Sequence, residues 1–423
     1  MDYDQLLENC GRVGCRLLSA GAEIYRVEDT VKRMMAAYGV SGEVFAIPAF
    51  LMVSVTDENG KAHTWMQRTD AMSGTDVEVI EQYNALSRAV SANPPKPEEL
   101  AGQIVQTEAK CRHYSTLTVL FGYLCGSLFF TLYFQGGLRE GMAAGIAGIL
   151  SALVILGLER EKVNFFFKTV AAAAALGFVI YGLRALGLPI DTAVAAKGAL
   201  MVLVPGLVFT NFMCDLITGD AISGTSTFIR AVLTAGAIAL GVGVALSVFR
   251  ALGLPTEGYE TPDRYGNLAQ CVFAFLACVG FSLIYNVHGR GVVLCCLGGA
   301  LGWGVYLAIN QMSGSVYAGY LAAAVFIAVY AEFMARLRRF PSTSYLVVSF
   351  FPLVPGAQIY YAMYYAIQGN RQQFFSSGTE ALAKAACLAT GTLLVSTTAR
   401  TLWLRRIEKM NKSSVKSQET MIQ

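Results

Sequence analysis

Ten apolar segments, each of roughly 20 residues, occupy most of the chain beyond residue 112, near 115–134, 140–158, 164–183, 194–216, 226–248, 268–287, 291–309, 316–335, 344–367 and 381–403. A helix of about 20 residues rises about 30 Å, the thickness of a bilayer's hydrocarbon core, and a helix satisfies its own backbone there. Charge is apportioned to match. Residues 1–112 hold 16 acidic and 11 basic side chains, and the rest of the 423 residues hold 13 and 21, so a net −5 precedes a net +8. That division gives domains at 1–112 (a small α+β unit), 113–250 and 265–404 (five spans each), a joining loop at 251–264 and a basic tail at 405–423. A net +3 with no basic stripe argues against nucleic acid. The ten cysteines fall mainly in apolar runs without CxxC or zinc spacing, which predicts reduced, packed thiols and no metal. No cofactor motif is present, and the sequence leaves the oligomeric state open.

The start, MDYDQLLENC, has acids where a signal peptide needs a basic end and an apolar core, so the N-terminus is expected in the cytoplasm. Lysine and arginine near the span ends agree. Arg160, Lys162, Arg290, Arg336, Arg338, Arg339 and the tail's Arg405, Arg406, Lys409, Lys412 and Lys416 fall on one side, and the sparser Arg139, Arg184, Arg250, Arg264 and Arg371 on the other. Both termini are then cytoplasmic.

In the soluble part, helical periodicity runs over Asp2 to Ser19, from Ile24 to a glycine stop at Gly39, over Asp76 to Val90, and from Glu98 to Lys110. β-branched and aromatic runs at 43–55 and 62–67, split by Asp57-Glu58-Asn59-Gly60, predict a hairpin. Ser54, Asp57 and His63 make a Ser/His/Asp hydrolase conceivable, but no nucleophile-elbow glycines surround Ser54. The more distinctive run is Ala20-Gly21-Ala22-Glu23-Ile24-Tyr25-Arg26-Val27-Glu28-Asp29-Thr30, where Glu23, Arg26 and Glu28 are placed for a local ion-pair set at a helix start.

The sharpest pattern is a repeat. Leu203-Val204-Pro205-Gly206 recurs 150 residues later as Leu353-Val354-Pro355-Gly356, and Gly219-Asp220 as Gly369-Asn370. After a four-residue insertion, Ser223-Gly224-Thr225 with Arg230 matches Ser377-Gly378-Thr379 with Lys384. Five spans per repeat, an odd number, invert one repeat against the other. Inverted repeats with interrupted helices are the architecture of secondary transporters, whose substrate site lies between the repeats. Pro205 and Pro355 should break spans four and nine, and with Gly206 and Gly356 expose helix N-termini able to hold a carboxylate. Arg230 and Lys384 are expected in the pathway, Asp215 and Asp220 as partners and proton carriers, and Asn211 and Asn286 as polar groups within spans four and six. The glycine pairs Gly122/Gly126, Gly141/Gly145 and Gly298/Gly302 suit close helix packing.

The run AGAEIYRVEDT ahead of ten spans with two LVPG elements resembles the threonine/serine exporter family of bacterial inner membranes, over nearly the whole chain. The resemblance implies efflux of small hydroxy amino acids coupled to the proton motive force, in a form that fuses two five-span halves, with relatives linked to small carboxylates such as succinate. It assigns no binding residue to a position of this chain.

Overall fold

The computed structural model describes residues 2–69, 74–204, 206–256, 265–338 and 340–422. Pro205, Arg264 and Arg339 lie outside them. Helices α1 (Tyr3–Ser19), α2 (Ile24–Ala37), α3 (Val77–Ala92) and α4 (Pro97–Lys110) pack with strands β1 (Gly42–Ile47), β2 (Phe50–Thr56) and β3 (Ala62–Arg68) around one apolar core. The sheet is an antiparallel meander, β1-β2-β3, not a two-stranded hairpin. The predicted long first strand is divided at Pro48-Ala49, since proline has no N–H to give the ladder. Gly39 takes the positive φ that ends α2, as the sequence indicates.

Beyond the five-residue linker 111–115 the chain is a helical bundle: α5 (Thr116–Tyr133), α6 (Leu138–Arg160), α7 (Phe165–Ala185), α8 (Thr192–Leu200), α9 (Gly206–Thr218) and α10 (Ala221–Ala251). After the joining loop come α11 (Asn267–Ile284), α12 (Arg290–Ser313), α13 (Val316–Arg338), α14 (Ser342–Ser349), a 3-10 turn (Phe351–Leu353), α15 (Gly356–Ile367) and α16 (Arg371–Ile422). Among the described residues, eight of these helices are long and apolar enough to cross a membrane. A ninth crossing is added if α14 and α15, bent by 44° at their break, count as one. The fourth predicted span is instead two helices, α8 and α9, each too short to cross alone.

The second six helices each begin 150 to 152 residues after a counterpart in the first six. Packing repeats with them: α7 lies on α10 as α13 lies on α16, α9 on α10 as α15 on α16, and α9 on α16 as α15 on α10. Gly219 and Gly369 both have positive φ, and the next residue caps the following helix in each case. Asp220 accepts from the Ser223 amide at 3.1 Å and Asn370 from the Gln373 amide at 3.2 Å.

The N-terminal α+β unit packs at the end of the bundle where α11 meets α12. Asn286, expected inside span six, lies just past α11 at positive φ and acts as the hub of this junction. Its Nδ2 donates to Asp76 Oδ1 at 3.0 Å and to the Arg112 carbonyl at 2.7 Å, and its Oδ1 accepts from the Tyr114 amide at 3.3 Å. The Val77 amide donates to the Tyr285 carbonyl at 3.0 Å, and the Tyr114 ring stacks on His288 at 4.2 Å. His113 and His288 approach Asp76 and Glu78 at 3.3 and 3.8 Å. Of the arginines at the end of α13, Arg338 faces Glu81 and Arg336 is exposed.

Burial pushes the Glu81 carboxyl up to about 7, aided by Glu78 and opposed by Ser344 and Arg338. A carboxyl raised above its unfolded value makes the docked state most stable below about pH 4.5, and that stability is lost as pH rises through about 7. Glu81→Gln is therefore expected to flatten the pH dependence of docking between pH 5 and 8, read as tryptic cleavage at Lys110 and Arg112. An unaltered pH profile in the variant would refute this assignment.

Candidate functional site

The junction of α14 with α15 meets the end of α8. Pro352 is the second residue of the 3-10 turn after α14, and Pro355, at φ −77° and ψ 44°, directs the Gly356 amide back to the Val354 carbonyl at 2.8 Å. That tight turn starts α15 in a new direction, leaving its first amides without carbonyls one turn back. A Cβ built on Gly356 would touch Met201 Sδ at 3.0 Å and Val204 Cγ1 at 3.1 Å, so the break of one half packs against the break of the other. Tyr133 of α5 donates to the Pro352 carbonyl at 2.8 Å and holds the turn from the side.

Three polar side chains gather around the start of α15. Gln358 Nε2 donates to Glu380 Oε1 at 3.2 Å, and the same oxygen pairs with Lys384 Nζ at 2.6 Å. Lys384 is 5% exposed and sits 5.1 Å from the Tyr320 ring centre. Lys197 of α8 lies over Phe134 at 4.4 Å and within electrostatic reach of Lys384, Glu380 and Asp191. Sequence reasoning placed Lys384 here and missed Glu380, Gln358 and Lys197. Glu380 was readable, because a glutamate four residues before a lysine on a helix is a stock ion pair.

Asn211 and Asp215 sit toward the N-terminal unit, near Glu23. Arg230, nine residues into α10, lies 5.8 Å from the Phe165 ring at the start of α7. Lys384 occupies the analogous face of α16 one turn further along, so the four-residue insertion amounts to about one helical turn. Asp215 Oδ2 accepts from the Ser223 hydroxyl at 3.3 Å, and Asp220 is used as the cap of α10. Since Asn370 does the same work without a charge, capping accounts for Asp220. Asn211 lines a small cavity under the soluble domain with Glu23.

Within the N-terminal run, Glu23 pairs with Arg26 at 3.0 Å. Glu28 does not complete a three-residue set: its Oε1 accepts from the Ala46 amide at 3.0 Å and ties α2 to β1. The Ser/His/Asp arrangement is not assembled either. His63 pairs across the sheet with Val55 while Ser54 pairs with Thr64, and successive strand residues face opposite ways. Both His63 nitrogens are turned to carboxylates, Asp4 at 2.8 Å and Asp57 at 3.5 Å. Among the described residues no group of His, Cys, Asp or Glu could hold a metal ion.

These features can be set beside known proteins. No solved structure matches the chain. A protein of Corynebacterium glutamicum described as a threonine/serine exporter is 23% identical over 412 residues, which cover 95% of this chain and 83% of that protein. The family profile described as "Putative threonine/serine exporter" matches residues 8–249, from α1 to the end of α10, and the profile "Threonine/Serine exporter, ThrE" matches 270–398, from α11 into α16. With nearly the whole chain covered by the two profiles, the chain belongs to the threonine/serine exporter family.

Proposed function

We propose that this protein exports threonine and serine across the bacterial inner membrane by proton-coupled secondary transport. The reading takes α8 with α9 and α14 with α15 as broken crossings, giving ten spans in two inverted five-span repeats with both termini cytoplasmic. Its main support is the junction of the breaks, where Gly356 meets Met201 and Val204 beside the Lys384 and Glu380 pair. An amino acid is a zwitterion, and this junction offers a partner for each end. The α15 N-terminus and Lys384 suit a carboxylate, and Glu380 suits an ammonium group. Asp215 would carry the proton.

Two lysines, Lys197 and Lys384, beside one glutamate leave the junction net positive, which also suits a small dicarboxylate. Efflux of labelled threonine, serine and succinate from proteoliposomes separates the readings. Threonine and serine are expected to leave faster under an inward proton gradient than without one. Movement of succinate alone would replace the amino-acid reading, and threonine efflux indifferent to the gradient would remove the proton coupling.

A further inference from the structure

The cavity beneath the soluble domain is walled by both halves of the bundle and by the domain itself. Asn211 and Cys214 come from α9, Thr343, Leu346 and Phe350 from the α14 side, Thr392 from α16, and Glu23 from the loop before α2. Its volume of about 40 Å³ exceeds the roughly 10–15 Å³ that one water needs and falls far below that of a ligand pocket. Thr343 is 6% exposed, and its hydroxyl has no hydrogen-bond partner among the described residues. A buried hydroxyl in that condition costs about 1–3 kcal/mol unless something fills the space it lines. Among the described residues Glu23 is the single charged one lining the cavity. Asp215 lies within its electrostatic reach, and Arg26, which pairs with Glu23, is not part of the lining. The cavity therefore presents a carboxylate whose charge Arg26 offsets, together with hydroxyl and amide groups that suit a hydroxyl.

The loop that carries Glu23 is held in place by the membrane part. Asn286 binds Asp76, the Asp76 amide donates to the Ala20 carbonyl at 3.0 Å, and Gly21 follows at φ +81°. A Cβ on Gly21 would meet Thr75 Oγ1 at 3.1 Å and the Gly74 carbonyl at 3.2 Å, which explains the glycine of the AGAE sequence.

We infer that this cavity is a substrate subsite at the domain-side mouth of the pathway, in which Glu23 receives the ammonium group and Thr343 the side-chain hydroxyl of the transported amino acid. The soluble domain is then one wall of the transport path. In the present conformation the subsite has closed to solvent size, and a whole amino acid enters when the Glu23 loop draws back. This rests on the exporter reading.

The test uses the full chain in proteoliposomes. The KM for threonine is compared with inhibition constants for 3-hydroxybutyrate, which lacks the ammonium, and 2-aminobutyrate, which lacks the hydroxyl. Glu23→Gln should raise the threonine KM on the order of tenfold and leave the 3-hydroxybutyrate constant unchanged. Thr343→Val should raise the threonine KM and leave the 2-aminobutyrate constant unchanged. If one variant fails to fold, the other decides. Parallel losses for threonine and the analogue, or no loss, overturn the subsite while leaving the exporter reading intact. A wild-type protein that moves no threonine overturns both.

Discussion

Gly280→Val is expected to unfold or disassemble the bundle, lowering stability by more than about 3 kcal/mol. A Cβ at Gly280 of α11 would lie 2.6 Å from the Gly122 carbonyl oxygen and 2.9 Å from Gly126 Cα, both on α5. Those obstacles are backbone, and no rotamer change relieves them. The crossing of α5 and α11 joins the first helix of each half, so forcing it apart disrupts one of the main seams between the halves. Gly243→Ala is the matched control, since a Cβ there meets nothing within 4 Å. Thermal unfolding in detergent should show a large fall for the first variant and little change for the second. Equal melting temperatures would refute the packing argument.

Lys384→Met should leave an inserted, folded protein whose threonine efflux falls between about 10- and 100-fold, the worth of one or two hydrogen bonds to a charged group. Stability should suffer less, because the Glu380 side chain is 43% exposed and can be resolvated once its partner is gone. Adding Glu380→Gln to that variant should recover any lost stability without recovering transport. Normal efflux from the single variant would remove Lys384 from the pathway.

How much of this was legible beforehand depended on how local the signal was. Eight long helices follow from apolar length alone, and Pro355 announced the break before α15. The tenth predicted span began too late, at 381, because the polar stretch from Arg371 to Glu380 hides ten residues that the Asn370 cap already commits to α16. Glycines were more ambiguous. Gly122 and Gly126 advertised a close approach, but nothing in their spacing named Gly280 as the other side of it. Asn286 was assigned to a span because apolar neighbours surround it, and its positive φ and its contacts 210 residues away with Asp76 have no trace in a local window. The same limit hid the pairing of Gln358 with Glu380, which needs a folded break to bring α15 onto α16.

The docked domain also bears on the order in which the molecule can be made. Chains emerge N-terminus first, and the domain's own core draws on residues 6–104, so it can fold while the rest is still being synthesised. Its resting place cannot exist until much later, because Asn286 and His288 follow α11 and Thr343 lies in the first turn of α14, all in the second half of the chain. During the interval the Asp76 side of the domain is uncovered and available to other surfaces. A nascent chain arrested before residue 284 should therefore expose this face to a chaperone or a protease, and one arrested after residue 350 should hide it, making the docking a sign that α11 to α14 are in place.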